Sequence, residues 1–499
     1  MHELCICSYH VHQEATSKGH YIKNKDGGDF DGWCWPGSSS YLDFTAPAVR
    51  DWWGQQFAYD KYVGSTPDLY TWNDMNEPSV FNGPEVSMPK DAKSISGVEH
   101  REWHNLYGLY FHQATAAGLT MRDDKKLERP FVLSRAFWAG TQKHGAIWTG
   151  DNTAEWGHLQ IATPMLLSIN IAGLSFAGAD IGGFFGNPDQ ELMTRWYQAA
   201  AFTPFFRNHA HLDSKRREPW VFGEPTTSVL RTATMVRYSL LPHWYTLFYE
   251  SHRTGMPVMR PLFMEFPFDD SATKNDNSWM VGSSLLVKPI VDANKRSMDV
   301  YLPSGVWYDF FSYAIHNTAT AGTPLGRSIM LNNINMDTIP VYIRGGSVIM
   351  RKLRVRRSSK TMFYDPYTIT VAPDEHGAAS GSLYADDEHT LLHMQDAARH
   401  SSYYQVQYSL KSANLGEISC HNLAPSSADA YTPSNTVERL ELLGQTKIPK
   451  NIDLKFHNAD TGAEEVTALS YHFDASRHAV VIKKPGMLAS SEWKIELNY

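Results

Sequence analysis

Between residues 69 and 180 the sequence repeats one unit: a short apolar run, an exit rich in acids, amides and glycine, then a stretch with helical spacing. The first run, Leu69-Tyr70-Thr71-Trp72, carries strand formers and passes into Asn73-Asp74-Met75-Asn76-Glu77, stopped by Pro78. Further runs lie at 129–135, 147–151 and 174–180, with helices expected around 99–120 and 157–169. The cluster Phe206-Arg207-Asn208-His209-Ala210-His211 extends the pattern. This rhythm predicts parallel α/β units, because parallel neighbours need a crossover; in a barrel their carboxyl-terminal exits build one site. Two of these exits carry an acid close behind a tryptophan, Trp72 before Asp74 and Trp148 before Asp151, which points to sugar chemistry. At the first exit Asp74 and Glu77 are both eligible.

The grammar changes downstream. A long helix is expected over 228–254, stopped by Gly255, and 257–262 reads as a last barrel strand. From about Ser278 short alternating segments separated by Gly, Pro, Asn and Asp predict β-sandwich structure. The expected division is a catalytic α/β part over 1–265, a proximal β-sandwich over 266–350 and a distal one over 351–499. The basic run 351–357 reads as a strand with a charged face, because Leu353 and Val355 alternate with its cations.

A net charge of -8 and an isoelectric point near 6.3 argue against nucleic acid as the main partner, since phosphate binding needs a basic surface. Four cysteines, Cys5, Cys7, Cys34 and Cys420, are too few for a disulfide framework. The most apolar segment, 164–179, is short and holds Ser168, Asn170 and Ser175, so no membrane span is expected. Neither a signal peptide at residues 1–8 nor a retention tetrapeptide at 495–499 is read. His10-x-His12 with Glu14 and Cys5-x-Cys7 lack further ligands at metal spacing. In His389-Thr390-Leu391-Leu392-His393 a threonine stands where a metalloprotease needs glutamate, and the acids of 26–32 lack the ligand order of a calcium loop. Trp33-Cys34-Trp35-Pro36-Gly37 reads equally as a sugar-stacking wall or as aromatics capping the core.

Taken together, Gly32-Trp33-Cys34-Trp35-Pro36-Gly37, Trp72-Asn73-Asp74-Met75-Asn76-Glu77-Pro78, Trp148-Thr149-Gly150-Asp151-Asn152, Gly178-Ala179-Asp180-Ile181-Gly182-Gly183-Phe184 and Phe206-Arg207-Asn208-His209 resemble glycoside hydrolase family 31. The resemblance covers nearly the whole chain. It implies a (β/α)8 TIM barrel, here lacking its early strands and the β-sandwich that precedes them, followed by two C-terminal β-sandwich domains. It implies a retaining α-glucosidase with Asp74 as nucleophile and Asp151 as general acid/base, and Trp35, Trp72, Met75, Arg135, Trp148, Asp180, Phe184 and His209 around the glucose. Such an enzyme holds its two carboxyl groups about 5–5.5 Å apart. Asp151 must start protonated, which burial against Trp148 and the charge of Asp74 would favour, while Arg135 would favour ionisation of a neighbouring acid. No metal or organic cofactor is required. By the same resemblance the substrate is a glucosylated N-glycan with terminal α-1,3-linked glucose; the alternatives are a family member acting on α-1,4-glucans and a truncated, inactive homologue that binds sugar or a partner. A noncatalytic β subunit and the lumen of the endoplasmic reticulum follow from it too.

Overall fold

A computed structural model describes residues 9–122, 125, 127–319, 323–423, 431–457 and 464–499. Cys5, Cys7 and the serine- and alanine-rich turns expected near 425–428 lie outside the described residues. The chain divides into two compact units, one of residues 1–150 with 389–391, the other of 151–388 with 392–499.

The first unit is built on three parallel strands, Thr71–Asn73, Val132–Ser134 and Ala146–Trp148. Trp72 lies opposite Leu133 and Asn73 opposite Ser134, while Ser134 lies opposite Ile147. Val132, Leu133, Ala146, Ile147 and Trp148 are buried, as a strand covered on both faces requires. The crossover from the first strand to the second contains the helix His100–Met121, which packs on the helix Pro47–Gln55. Pro47 opens the shorter helix, where its missing N–H costs nothing. The two helices approach closely because glycines meet: a Cβ added to Gly118 would stand 2.9 Å from Gly54 Cα. Phe44 stacks on Phe111 at 4.3 Å in the adjoining core.

In the second unit the helices Trp156–Ile171 and Gln190–Ala200 flank the two-residue strand Ala177–Gly178 in sequence. Asp189 caps the second helix by accepting from Leu192 N at 2.7 Å. The single helix expected over 228–254 is two helices, Thr226–Ser239 and Leu241–Thr254, meeting at Leu240. Pro242 explains the break: it lies in the first turn of the second helix, where a proline without an N–H can start a helix but cannot continue one.

The expected last barrel strand is also revised. Only Met259–Arg260 forms a strand, and it pairs antiparallel with Trp279–Val281 at the edge of a six-stranded antiparallel sheet. Pro257 and Pro261 flank it and limit its ladder. A two-stranded ribbon, Ser297–Leu302 with Arg327–Asn332, packs its residues with that sheet around Trp307, Tyr342, Met280 and Leu302.

The strands from Ser347 onward form one eleven-stranded sheet with a core including Val371, Ile418, Leu440, Ile482 and Ile495. It is antiparallel except where Ser347–Arg351 joins Ala378–Asp386 and Tyr367–Ala372 joins Val437–Leu442. The strand Trp493–Asn498 lies inside it, between Leu415–Asn422 and Asn451–His457. The basic run is not a strand beyond its first residue: the strand Ser347–Arg351 ends there, and residues 352–357 make no ladder. Among the described residues no helix is long and apolar enough to cross a membrane.

Candidate active site

The first unit carries one group of site residues. Asp74 follows the strand Thr71–Asn73, and Arg135 follows Val132–Ser134, so neighbouring parallel strands deliver an acid and a guanidinium side by side. Arg135 Nη1 lies 3.1 Å from Asp74 Oδ1. The same guanidinium grips both oxygens of Glu77, Nε donating to Oε1 at 2.7 Å and Nη2 to Oε2 at 3.1 Å. Such two-point pairing holds the Glu77 carboxylate in a fixed plane. Met75 has φ 61° and its N–H donates to Asp74 Oδ1 at 2.9 Å. For a residue with a long side chain this left-handed conformation costs about 1–2 kcal/mol, and such strain persists where the surroundings over-determine it.

The surroundings are supplied by Asn76, which the sequence reading passed over. Asn76 is buried; its Nδ2 donates to Ser134 Oγ at 2.9 Å and its Oδ1 accepts from Ala136 N at 3.1 Å. Arg135 N in turn donates to Asn73 O. These bonds lock the two exits together on either side of Asp74 and Arg135. Asn76→Ala should therefore cost about 1–3 kcal/mol in chemical denaturation, since it leaves buried polar groups without partners.

Trp148 is 1% exposed and lies edge-on beneath the half-exposed Trp72, ring centroids 5.6 Å apart. Trp35 is 74% exposed and rests on the edge of Phe81, at 5.0 Å and 83°. Its loop is tied down by Phe81 N donating to Trp33 O and Trp33 N donating to Asn82 Oδ1. Of the two readings of this loop, the exposed Trp35 favours a stacking wall over a cap on the core.

The second unit carries the other group. Asp151 lies on an exposed bend and not in the buried setting expected from the sequence. The neighbouring Asn152 is the organiser: its Nδ2 donates to Asp180 O at 3.1 Å, and its Oδ1 accepts from Phe184 N at 2.9 Å. Asp180 is fully buried and accepts from Arg207 through Nε and Nη2, at 2.9 and 2.6 Å. Arg217 braces the loop from Asp180 to Gly186 by donating to the carbonyls of Gly182, Gly183 and Gly186. Gly183, at φ 79°, cannot carry a side chain, because a Cβ would stand 2.3 Å from Ala154 N. Phe184 faces His209 at 5.4 Å with the rings 30° apart. Asn152, Arg207 and Arg217 are positioning residues that sequence reasoning did not single out; each stands in or near a quoted motif, but only the fold reveals its partner.

His389 Nδ1 lies 3.3 Å from Glu128, and His393 Nδ1 lies 4.0 Å from Asp386. Among the described residues no group of three or more His, Cys, Asp or Glu could hold a metal ion.

Residues 2–247 match the model of the glycosyl hydrolases family 31 TIM-barrel domain, and residues 255–349 match that of the family 31 C-terminal domain. The chain belongs to glycoside hydrolase family 31. Among its family 31 relatives, neutral alpha-glucosidase AB of Dictyostelium discoideum is 51% identical over 98% of this chain and 50% of its own length. A crystal structure of glucosidase II alpha subunit in an alpha3-Glc2-bound form superposes with a TM-score of 0.91, at 40% identity, over 98% of this chain and 53% of that one. An ER glucosidase II heterodimeric complex of catalytic subunit and the binding domain of regulatory subunit gives 0.90 and 40%, over 98% and 53%. The chain thus spans about half the length of the curated relatives it matches. The family 31 fold of TIM barrel and sheet-rich C-terminal part agrees with the architecture expected from the sequence.

Proposed function

We propose that this chain carries the catalytic residues of a retaining α-glucosidase that removes terminal α-1,3-linked glucose from N-glycans. The observation that supports it most is the Asp74–Arg135–Glu77 cluster. Both Glu77 oxygens are committed to Arg135, which supports Glu77 as the positioning acid and leaves Asp74 for the role of nucleophile that the family pattern gives it. The guanidinium beside Asp74 favours the ionised carboxylate that attack on the anomeric carbon needs. Asp151 protonates the departing oxygen and then, once the glycosyl ester on Asp74 has formed, takes a proton from the incoming water. The family resemblance assigns Trp35, Trp72, Met75, Trp148, Asp180, Phe184 and His209 to the glucose subsite; the exposed Trp35 and Trp72 offer apolar faces to the C–H face of the sugar, the buried Trp148 supports Trp72, and the buried Asp180 holds Arg207. The step is formulated without a metal or organic cofactor.

The α-1,3 specificity, the noncatalytic β subunit and the endoplasmic-reticulum lumen rest on the likeness to glucosidase II and to the probable glucan 1,3-alpha-glucosidase of Arabidopsis thaliana, 48% identical. Two measurements test the reading. Proton NMR of the first product should show α-glucose, and β-glucose would overturn the retaining mechanism. Turnover of an α-1,3-linked glucose disaccharide should exceed that of the α-1,4-linked isomer; the reverse order would favour a glucan-degrading enzyme.

A further inference from the structure

The basic run 351–357 leaves a feature that sugar hydrolysis does not use. With the helix Thr226–Ser239 and the turn at Pro219–Phe222 it lines a groove of about 650 Å³ in the second unit. Eight of the lining residues are Arg or Lys and one, Glu441, is acidic, in a chain whose net charge is -8. Five of these cations already have partners, Arg439 lying 3.5 Å from Glu441. Arg351 meets Glu441 at 3.1 Å, Arg354 meets Glu438 at 3.0 Å, Arg356 meets Asp365, and Lys352 Nζ donates to the carbonyls of Met362 and Phe363. Arg231 and Arg357 are exposed and make no ion pair among the described residues, while the exposed Arg477 lies over the Tyr313 ring and acts electrostatically on Asp474.

The groove is also apolar. Trp220 and Val355 are each 67% exposed, and Leu353 and Phe311 stand partly open beside them. Lys352 N donates to Ser239 O, but among the described residues no amide from Leu353 to Arg357 donates to the backbone. Cations without carboxylates, apolar side chains in water and uncommitted amides coincide on one segment. Exposed apolar groups rimmed by charge mark a docking surface, and the sign of the rim selects the partner.

We propose that this groove docks an acidic peptide segment of a partner protein, with apolar residues interspersed among its carboxylates. Carboxylates meet Arg231 and Arg357, and apolar side chains cover Trp220 and Val355. Charge complementarity favours a peptide over a purely polyanionic chain, because a polyanion would leave the tryptophan and valine in water.

Fluorescence anisotropy of the full chain with a labelled peptide of alternating Glu and Leu tests this. The Arg231→Glu/Arg357→Glu double variant should weaken binding at least about tenfold, and Trp220→Ala/Val355→Ser about fivefold, in line with lost charge pairing and lost apolar contact. Lys143→Glu/Lys483→Glu, with the same change in net charge, should leave affinity unchanged. Circular dichroism melts verify that the variants, all at exposed positions, fold. Equal affinity for a Gln-Leu peptide, or no loss in the Arg231→Glu/Arg357→Glu variant, overturns the proposal. Heparin binding that matches the peptide and ignores Trp220→Ala/Val355→Ser overturns it in favour of a polyanion surface.

Discussion

Asp74→Ala is expected to lower kcat for an aryl α-glucoside by about 10⁴-fold or more, because no glycosyl ester can form. Asp151→Ala should slow the same substrate by about 10²–10⁴-fold, with the smaller loss for leaving groups that need no proton. Azide separates the two roles. In Asp74→Ala an azide ion replaces the missing carboxylate and attacks the α-glucoside directly, so the product is β-glucosyl azide. In Asp151→Ala the ester on Asp74 still forms with inversion, azide then displaces it with a second inversion, and the product is the α-anomer. Opposite anomers, or the β-azide from a Glu77→Ala variant, would overturn the assignment. Glu77→Gln should leave the stereochemistry unchanged while weakening activity through a misplaced Arg135, which loses its two-point anchor.

Glu441→Ala should be the most destabilising single change in the distal sheet, by about 3–5 kcal/mol in chemical denaturation. Glu441 Oε2 receives Arg351 at 3.1 Å and Tyr313 Oη at 2.7 Å, with the acid and the guanidinium both nearly buried. Removing the carboxylate leaves a guanidinium that is largely shielded from water without its counter-charge. Replacing both partners, Arg351→Met with Glu441→Leu, should recover most of the loss, since an apolar pair of similar volume needs no desolvation. Glu438→Ala, which breaks the more exposed pair with Arg354, should cost no more than about 1 kcal/mol. A loss for Glu441→Ala as small as that for Glu438→Ala would mean that the buried pair is solvated in the folded state.

The exits of the parallel strands were legible in the sequence because strand formers and the residues that follow them are contiguous. Asp74 and Arg135 therefore stand at the ends of Thr71–Asn73 and Val132–Ser134 as expected. Distances along the chain hid the rest. That Arg135 reaches Glu77 as well as Asp74, and that Asn76 fastens the two exits, depends on the register of strands some sixty residues apart. The alternation in 351–357 suggested a strand, but Arg354 and Arg356 are held by Glu438 and Asp365 rather than by a ladder, so a correct local pattern gave the wrong element. Pro242 was a visible signal for the helix break at Leu240, outweighed in the reading by the apolar periodicity on both sides.

The interior position of Trp493–Asn498 bears on biosynthesis. This strand sits between Leu415–Asn422 and Asn451–His457, so each of those presents an unpaired edge until it arrives. At about 5–20 residues per second, the edge of Leu415–Asn422 stays open for several seconds while the intervening chain is made. Until Trp493–Asn498 is made, the distal sheet is split between these two edges and its hydrophobic core is incomplete. In that interval the open edges can pair with other chains, so misassembly would start at this seam and not at Asp74.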